Sequence, residues 1–265
     1  MSIVILDPDG RHAPDYPGWL ADSGRELRLL TGRAGEYAGF AEVRVVPRYA
    51  LSAAVETGVL ALARGGGVSA VVALDPADQI RAGGLRDFLG LPGQGRDAAL
   101  ALADSVEARA VLARAGVGVV RREEVRRVAD LYWWAHQWGY PLVVRPRRGH
   151  AGQAPAELAD EAGLRAFVRD RMPADPSVVP SLTVEPRTDG ERHHGPGLPV
   201  TDAALAALPR HPGHPRAVEA VREADGRWLV LGVGYRPDAR PARALVRAQA
   251  GLAPEPTDPD STEVA

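Results

Sequence analysis

Two continuous apolar runs, Ser2 to Leu6 and Ser69 to Leu74, constrain the fold of this chain more than any other feature. Neither alternates with polar residues, and both are rich in β-branched side chains. Between them SAAVETGVLALAR carries apolar residues at helical spacing and stops at Gly65, Gly66 and Gly67. A strand that is apolar on both faces needs cover on both, and strands alternating with helices supply it in a parallel sheet. Leu27 to Leu30 and Val43 to Val46 read as two more short strands, with a helix between Tyr16 and Ser23; Asp75 and Pro76 cap another helix through Phe88. Residues 1–90 are therefore expected to form a small open parallel α/β domain. The turn after its first strand, DPDGRHAPDYPG, lacks the G-x-G-x-x-G of a dinucleotide site, and Asp7 and Asp9 there read as solvated turn residues.

LPGQG, residues 91–95, marks the boundary. Arg96 to Ala115 reads as helix, with Asp104 as a break or N-cap and Gly116 as the stop. Val117 to Val120 is expected to be a strand. Val125 to Trp138 is expected to be an amphipathic helix whose Tyr132, Trp133, Trp134 and Trp138 serve core or interface packing. Tyr140 to Gln153, YPLVVRPRRGHAGQ, is an apolar strand that ends in Arg-Pro and opens into a basic, glycine-bearing loop, a place to offer positive charge and backbone amides to an anion. A helix from about Ala156 to Arg171 and a strand from Ser177 to Glu185 follow. His193 and His194 point to opposite sides of an extended chain and do not pair as metal ligands. The segment from Gly195 to Gly213 is a Pro- and Gly-rich loop around one short helix. Strand, Asp225-Gly226 turn and strand come next, then a helix from Arg243 to Ala250; the acidic, Pro-rich tail, 253–265, is expected to be disordered.

Composition removes several chemistries. Cys is absent, which excludes disulfides and thiolate sites, and all 32 basic residues are Arg, so no Schiff-base or phosphate-binding Lys exists. A formal charge of -2 from dense charges of both signs supplies no general field for nucleic acid or an anionic membrane. The N-terminus, MSIVILDPDG, has no basic or long apolar leader, so a soluble cytoplasmic protein is expected.

The ordered set FLGLPGQGRDAALALADSVEARAVLARAGV, GYPLVVRPRRGHAG, SLTVEP with DGERHH, then VEAV, DGRWLVLGVGYRPDAR and LVRAQAGL resembles the linear plan of the ATP-grasp superfamily over about residues 1–252. The resemblance implies a pre-ATP-grasp α/β domain, 1–90, followed by a reduced ATP-grasp-like α+β domain, 91–252. In that family ATP lies between two lobes, and an acyl phosphate forms before an amine or thiol attacks. Such transfer needs cations on the phosphates and Mg²⁺ held by carboxylates. Matched to the family pattern, Asp104-Ser105 stands where the first phosphate Lys commonly follows an Asp, and Arg145 replaces the second Lys in Val143-Val144-Arg145-Pro146. Arg147, Arg148 and His150 fall in the lid loop, Glu185 at the start of the adenine hinge and Glu191 near the ribose. Alignment on Arg236 of an E-x-N-x-R pattern puts Glu219 at the first metal carboxylate but Gly232 and Gly234 where the other two ligands belong. A glycine has no ligand atom, so Mg²⁺ keeps one protein carboxylate. The short span between Glu191 and Glu219 implies a reduced palm.

This departure leads to the expectation of a degenerate ATP-grasp-like protein without ligase activity, with no catalytic residue and no cofactor needed for activity. It would act as a binding, regulatory or assembly partner, engaging another protein, a second copy of itself or an anionic small molecule. The alternative is an active, divergent ATP-dependent carboxylate–amine ligase that still uses ATP and Mg²⁺.

Overall fold

A computed structural model describes residues 1–8, 15–65, 67–148, 154–173, 180–235 and 242–253. The expected disorder after 253, and the candidates His150 and Arg236, lie outside the described residues. The chain forms two compact units.

The first unit is built on β1 (Ser2–Asp7), β2 (Glu26–Thr31), β3 (Glu42–Val45) and β4 (Val68–Ala73), all parallel in the order β3-β2-β1-β4. Both faces are buried, as the unbroken apolar runs require. Val4, Leu6, Leu30 and Val71 point to one side, beneath α2 (Ala54–Arg64) and α3 (Gln79–Leu89), while Ile3, Ile5, Leu29 and Val72 point to the other. That second side is covered by the short α1 (Tyr16–Trp19) and by α9 (Ala242–Gln249), near the end of the chain. α9 is fixed by polar contacts as well as by Val246: Arg247 bonds both carboxylate oxygens of Asp22 at 2.7 and 2.8 Å, and Gln249 Oε1 accepts from the Ala73 amide at 2.9 Å.

The second unit holds two sheets. One, in the order β5-β8-β6-β7, is antiparallel and comprises β5 (Glu123–Val125), β6 (Leu142–Pro146), β7 (Ala156–Leu158) and β8 (Leu182–Pro186). Its inner face, Val125, Leu142, Val144, Leu158 and Val184, packs with Leu131 of α6 (Val128–Trp138) and Leu164 of α7 (Glu161–Arg171). The other, β11-β10-β9, comprises β9 (Arg192–His194), β10 (Arg216–Arg222) and β11 (Trp228–Tyr235), packed with α5 (Ser105–Arg114) and α8 (Pro199–Ala207). α4 (Arg96–Ala103) precedes α5, and Asp104 makes the break between them, accepting from the Val106 and Glu107 amides.

Three expected elements change. The helix expected from Ala156 begins only at Glu161, because residues 156–158 pair with β6 as the sheet's edge strand. The helix expected from Val125 begins at Val128, and Val125 belongs to β5. Val117 to Val120 is not a full strand; Val119 makes a single bridge to Val230.

One glycine in this unit is fixed by close approach. A Cβ on Gly190 would lie 1.7 Å from the Arg222 carbonyl oxygen, and the neighbouring Arg222 amide donates to Glu191 at 2.8 Å. Gly190→Ala is expected to cost about 2 kcal/mol or more in urea unfolding, because backbone must move. Gly232→Ala, whose Cβ meets nothing within 4 Å, is the control and should leave stability within about 0.5 kcal/mol or raise it. Equal losses in the two variants would remove the steric argument.

Candidate functional site

β6 and β8 run side by side with Val143 opposite Glu185 and Arg145 opposite Thr183. Alternation puts Leu142, Val144 and Val184 in the core and turns Arg145 and Glu185 to the other face. There Arg145 Nε donates to Glu185 Oε1 at 2.6 Å, and Arg122 Nε donates to the second oxygen at 2.7 Å. Glu185, only 3% exposed, thus has a guanidinium on each oxygen. Arg122 also donates to the Leu231 carbonyl at 2.8 Å, so one side chain ties β8 of the first sheet to β11 of the second. Backbone reinforces the junction: Val120 donates to Val230 at 3.1 Å, and Val230 donates to Gly118 at 2.9 Å.

Arg147 and Arg148 converge on a different carboxylate. Asp104 is 0% exposed, receives Arg147 Nε at 2.8 and 2.9 Å and Arg148 Nε at 3.0 Å, and also caps α5. Burial works to raise its pKa, but the hydrogen bonds from Arg147 and Arg148 outweigh it and hold the carboxyl below its ordinary value. Arg147 further contacts Glu124 at Oε1 and Glu107 at 3.7 Å. The backbone follows the same path, with Ser105 donating to the Arg147 carbonyl at 2.9 Å.

The structure thus brings Arg145 together with Glu185, and Arg147 together with Arg148. Glu191 stands apart: it is exposed and faces Arg222 at 3.6 Å beside an open surface groove. Glu219 lies opposite Gly232 across the β10–β11 ladder, and its carboxylate is held by Arg192 at 2.6 Å. Gly232 and Gly234 have room for side chains, since added Cβ atoms meet nothing closer than 4.0 Å. Ligand atoms are therefore missing there for want of chemistry rather than of space. Among the described residues no group of three or more His, Asp or Glu is placed to hold a metal ion. His193 Nε2 donates to the Pro196 carbonyl oxygen at 2.9 Å and packs edge-on to Trp228, separate from His194. Among the described residues, the positions matched to the family's metal ligands offer Glu219, paired with Arg192, and two glycines, a set that does not fit a Mg²⁺ clamp.

A cavity of about 30 Å³ lies at the junction, lined by Ser105, Arg122, Leu231 and Gly232 among others. That is room for a water molecule, an order of magnitude below a pocket of several hundred Å³ that a nucleotide-sized ligand needs. Sequence reasoning missed Arg122 and Glu124 altogether. Nothing marks them in the sequence, because their partners lie 63 and 23 residues away.

No protein-family model matches the sequence, and no curated protein matches it. Solved structures do. The L-amino acid ligase from Bacillus licheniformis superposes with a TM-score of 0.65 at 16% identity, covering 89% of this chain and 67% of the ligase. The biotin carboxylase domain dimer of Hydrogenobacter thermophilus 2-oxoglutarate carboxylase, in complex with MgADP, ADP and bicarbonate, gives 0.61 at 16% identity over 94% of this chain and 70% of that one. A RimK domain ATP-grasp protein from Sphaerobacter thermophilus gives 0.59 at 16% identity and matches nearly end to end, 95% of this chain and 99% of the other. Among the described residues, no helix is long and apolar enough to cross a membrane. At these identities the likeness is one of fold, and the fold is that of the ATP-grasp superfamily.

Proposed function

We propose that this chain is an ATP-grasp-fold protein without ligase activity that acts in the cytoplasm as a binding, regulatory or assembly partner. The observation that supports the reading is the pairing of Arg145, Arg147 and Arg148 with the buried carboxylates of Glu185 and Asp104. An incoming triphosphate would have to displace Glu185 and Asp104 from guanidinium hydrogen bonds that are already made. The glycines at 232 and 234 add no metal ligand that would favour the exchange. The proposal takes domains at 1–90 and 91–252, with the nucleotide-facing positions in the second and α9, at the end of that span, packed back on the first. Purified protein with ATP, Mg²⁺ and mixed carboxylates and amines is expected to release no ADP or AMP above a protein-free blank. Product formation that requires both a carboxylate and an amine would sink the reading.

The fold neighbours favour a second reading, since one is a named ligase and another was solved with MgADP. On that reading the arginines let go of their carboxylates when ATP arrives, and Glu219 releases Arg192 to take Mg²⁺. It requires Mg²⁺-dependent ATP binding that Arg145→Ala weakens and Glu219→Gln abolishes, read by calorimetry. No thermal shift with ATP and Mg²⁺ counts against it.

A further inference from the structure

The helix-covered face of the β5-β8-β6-β7 sheet is not filled to its end. Strand alternation puts Val144 and Pro146 of β6 on that face, with Ala156 of β7 opposite Val144 and Leu182 of β8 opposite Pro146. Leu164 and Phe167 of α7 pack over the sheet, and the helix stops at Arg171. Between its last turns and these strand ends lies a cleft of about 210 Å³, walled by Val144, Phe167, Leu182 and Pro180 among others. Close-packed interiors hold few voids larger than a water molecule, and an apolar cavity of about 150 Å³ already accommodates a benzene ring. The cleft thus has room for one ring carrying a short arm.

Its side-chain polar groups are few, and the charge among them is of one sign. Ser181 contributes a hydroxyl and Arg171 a guanidinium, whose Cζ stands 5.8 Å from the centre of the Phe167 ring. Arg171 differs from the other arginines of its helix. Arg165 is paired with Glu161 at 2.6 Å and Arg169 with Asp170 at 2.7 Å, whereas Arg171 makes no ion pair among the described residues. Nor does a carboxylate line the cleft among those residues. An apolar slot edged by one cation is complementary to an apolar acid, whose ring leaves water while the planar guanidinium meets both carboxylate oxygens. An amine or amino acid would instead bring an ammonium beside Arg171, with no acid to meet it.

We propose that this cleft is a binding site for a small aromatic monocarboxylate, of the size of phenylpropanoate, with its ring between α7 and the strand ends and its carboxylate at Arg171. Val144 and Arg145 point to opposite faces of β6, so the site is separate from the arginine–carboxylate network and stands whether or not the chain uses ATP. A ligand this small in a half-open cleft is expected to bind with a dissociation constant of about 0.1–1 mM.

NMR titration of the full chain, labelled at Val and Leu methyl groups, with phenylpropanoate tests this. The Val144 and Leu182 methyl resonances are expected to shift, while those of Val143, on the other face of β6, stay in place. Phenylpropanol keeps the ring without the charge and should bind about tenfold more weakly or worse; phenylpropylamine should not bind. Arg171→Gln, at an exposed position that leaves the core intact, should weaken the acid to the level of the alcohol and leave the alcohol unchanged. Absence of any shift at millimolar phenylpropanoate overturns the proposal. So do shifts at Val143 without Val144, and equal affinity of the wild-type chain for acid and alcohol, a comparison that needs no variant to fold.

Discussion

Asp104→Ala is expected to lower stability by about 3–4 kcal/mol at neutral pH, measured by urea unfolding. The carboxylate has no solvent exposure and takes five hydrogen bonds, two from the first turn of α5 and three from Arg147 and Arg148. Loss of the helix cap accounts for about 1 kcal/mol of the change. The remainder comes from guanidinium groups left without their main counterion, moderated because Arg147 keeps Glu124 and Arg148 can reach water. Asp104→Asn, which retains an oxygen for the cap, should lose less. The acid dependence has a definite sign. Since the folded state holds this carboxyl below its ordinary value, its contribution is present above the unfolded pKa and disappears as pH falls through the lowered one. The gap between wild type and Asp104→Ala should therefore narrow toward pH 2. A loss below about 1 kcal/mol at pH 7 would mean that the carboxylate is not the keystone of this arginine cluster.

The variant also bears on the proposed function. If Asp104 stands where a phosphate would otherwise sit, its removal leaves Arg147 and Arg148 facing a space that an anion can enter. Pyrophosphate should then raise the melting temperature of Asp104→Ala more than that of wild type.

What the sequence made legible follows from how each feature is written in it. The parallel sheet of the first unit was readable because burial on both faces leaves no polar alternation, as in Ile3 to Leu6 and Ala70 to Ala73. Asp104 was readable as a cap because capping is local. α9 was readable as a helix, but its place over Ile5 and Val72, more than a hundred residues earlier in the chain, was not. β7 was lost in the helix after it, since three residues are too few to show a period of two. The arginine-rich loop was correctly seen as positive, yet sign alone does not say whether a guanidinium faces solvent, a ligand or a carboxylate 40 residues away such as Glu185. That distinction separates an open anion site from one whose guanidinium groups already hold the protein's own carboxylates, and it resides in tertiary geometry.

Asp78 presents the opposite case to Asp104, and its replacement by Asn is expected to stabilise the chain at pH 8. The group is 2% exposed at the start of α3, with Tyr49 Oη donating at 3.1 Å and Arg81 Nη1 at 2.7 Å. Arg81 is shared with Glu56 at 3.0 Å, so Asp78 receives only part of its charge. Burial is the largest influence and pushes the carboxyl up to about 6, with Arg81 pulling the other way without offsetting it. A carboxyl raised in the folded state contributes stability below its unfolded value near 3.8, and that contribution is lost as pH rises through 6. At pH 8 the ionised form costs roughly 3 kcal/mol relative to the protonated one. Asn removes that cost and gives up one charge-assisted bond to Arg81, leaving a net gain of about 1–2 kcal/mol at pH 8 and little or none at pH 4. Thermal unfolding of both chains at pH 4, 6 and 8 measures the difference. Destabilisation by Asp78→Asn at pH 8 would show that attraction to Arg81 exceeds the penalty of burial, and that Asp78 and Asp104 are held by the same balance rather than opposite ones.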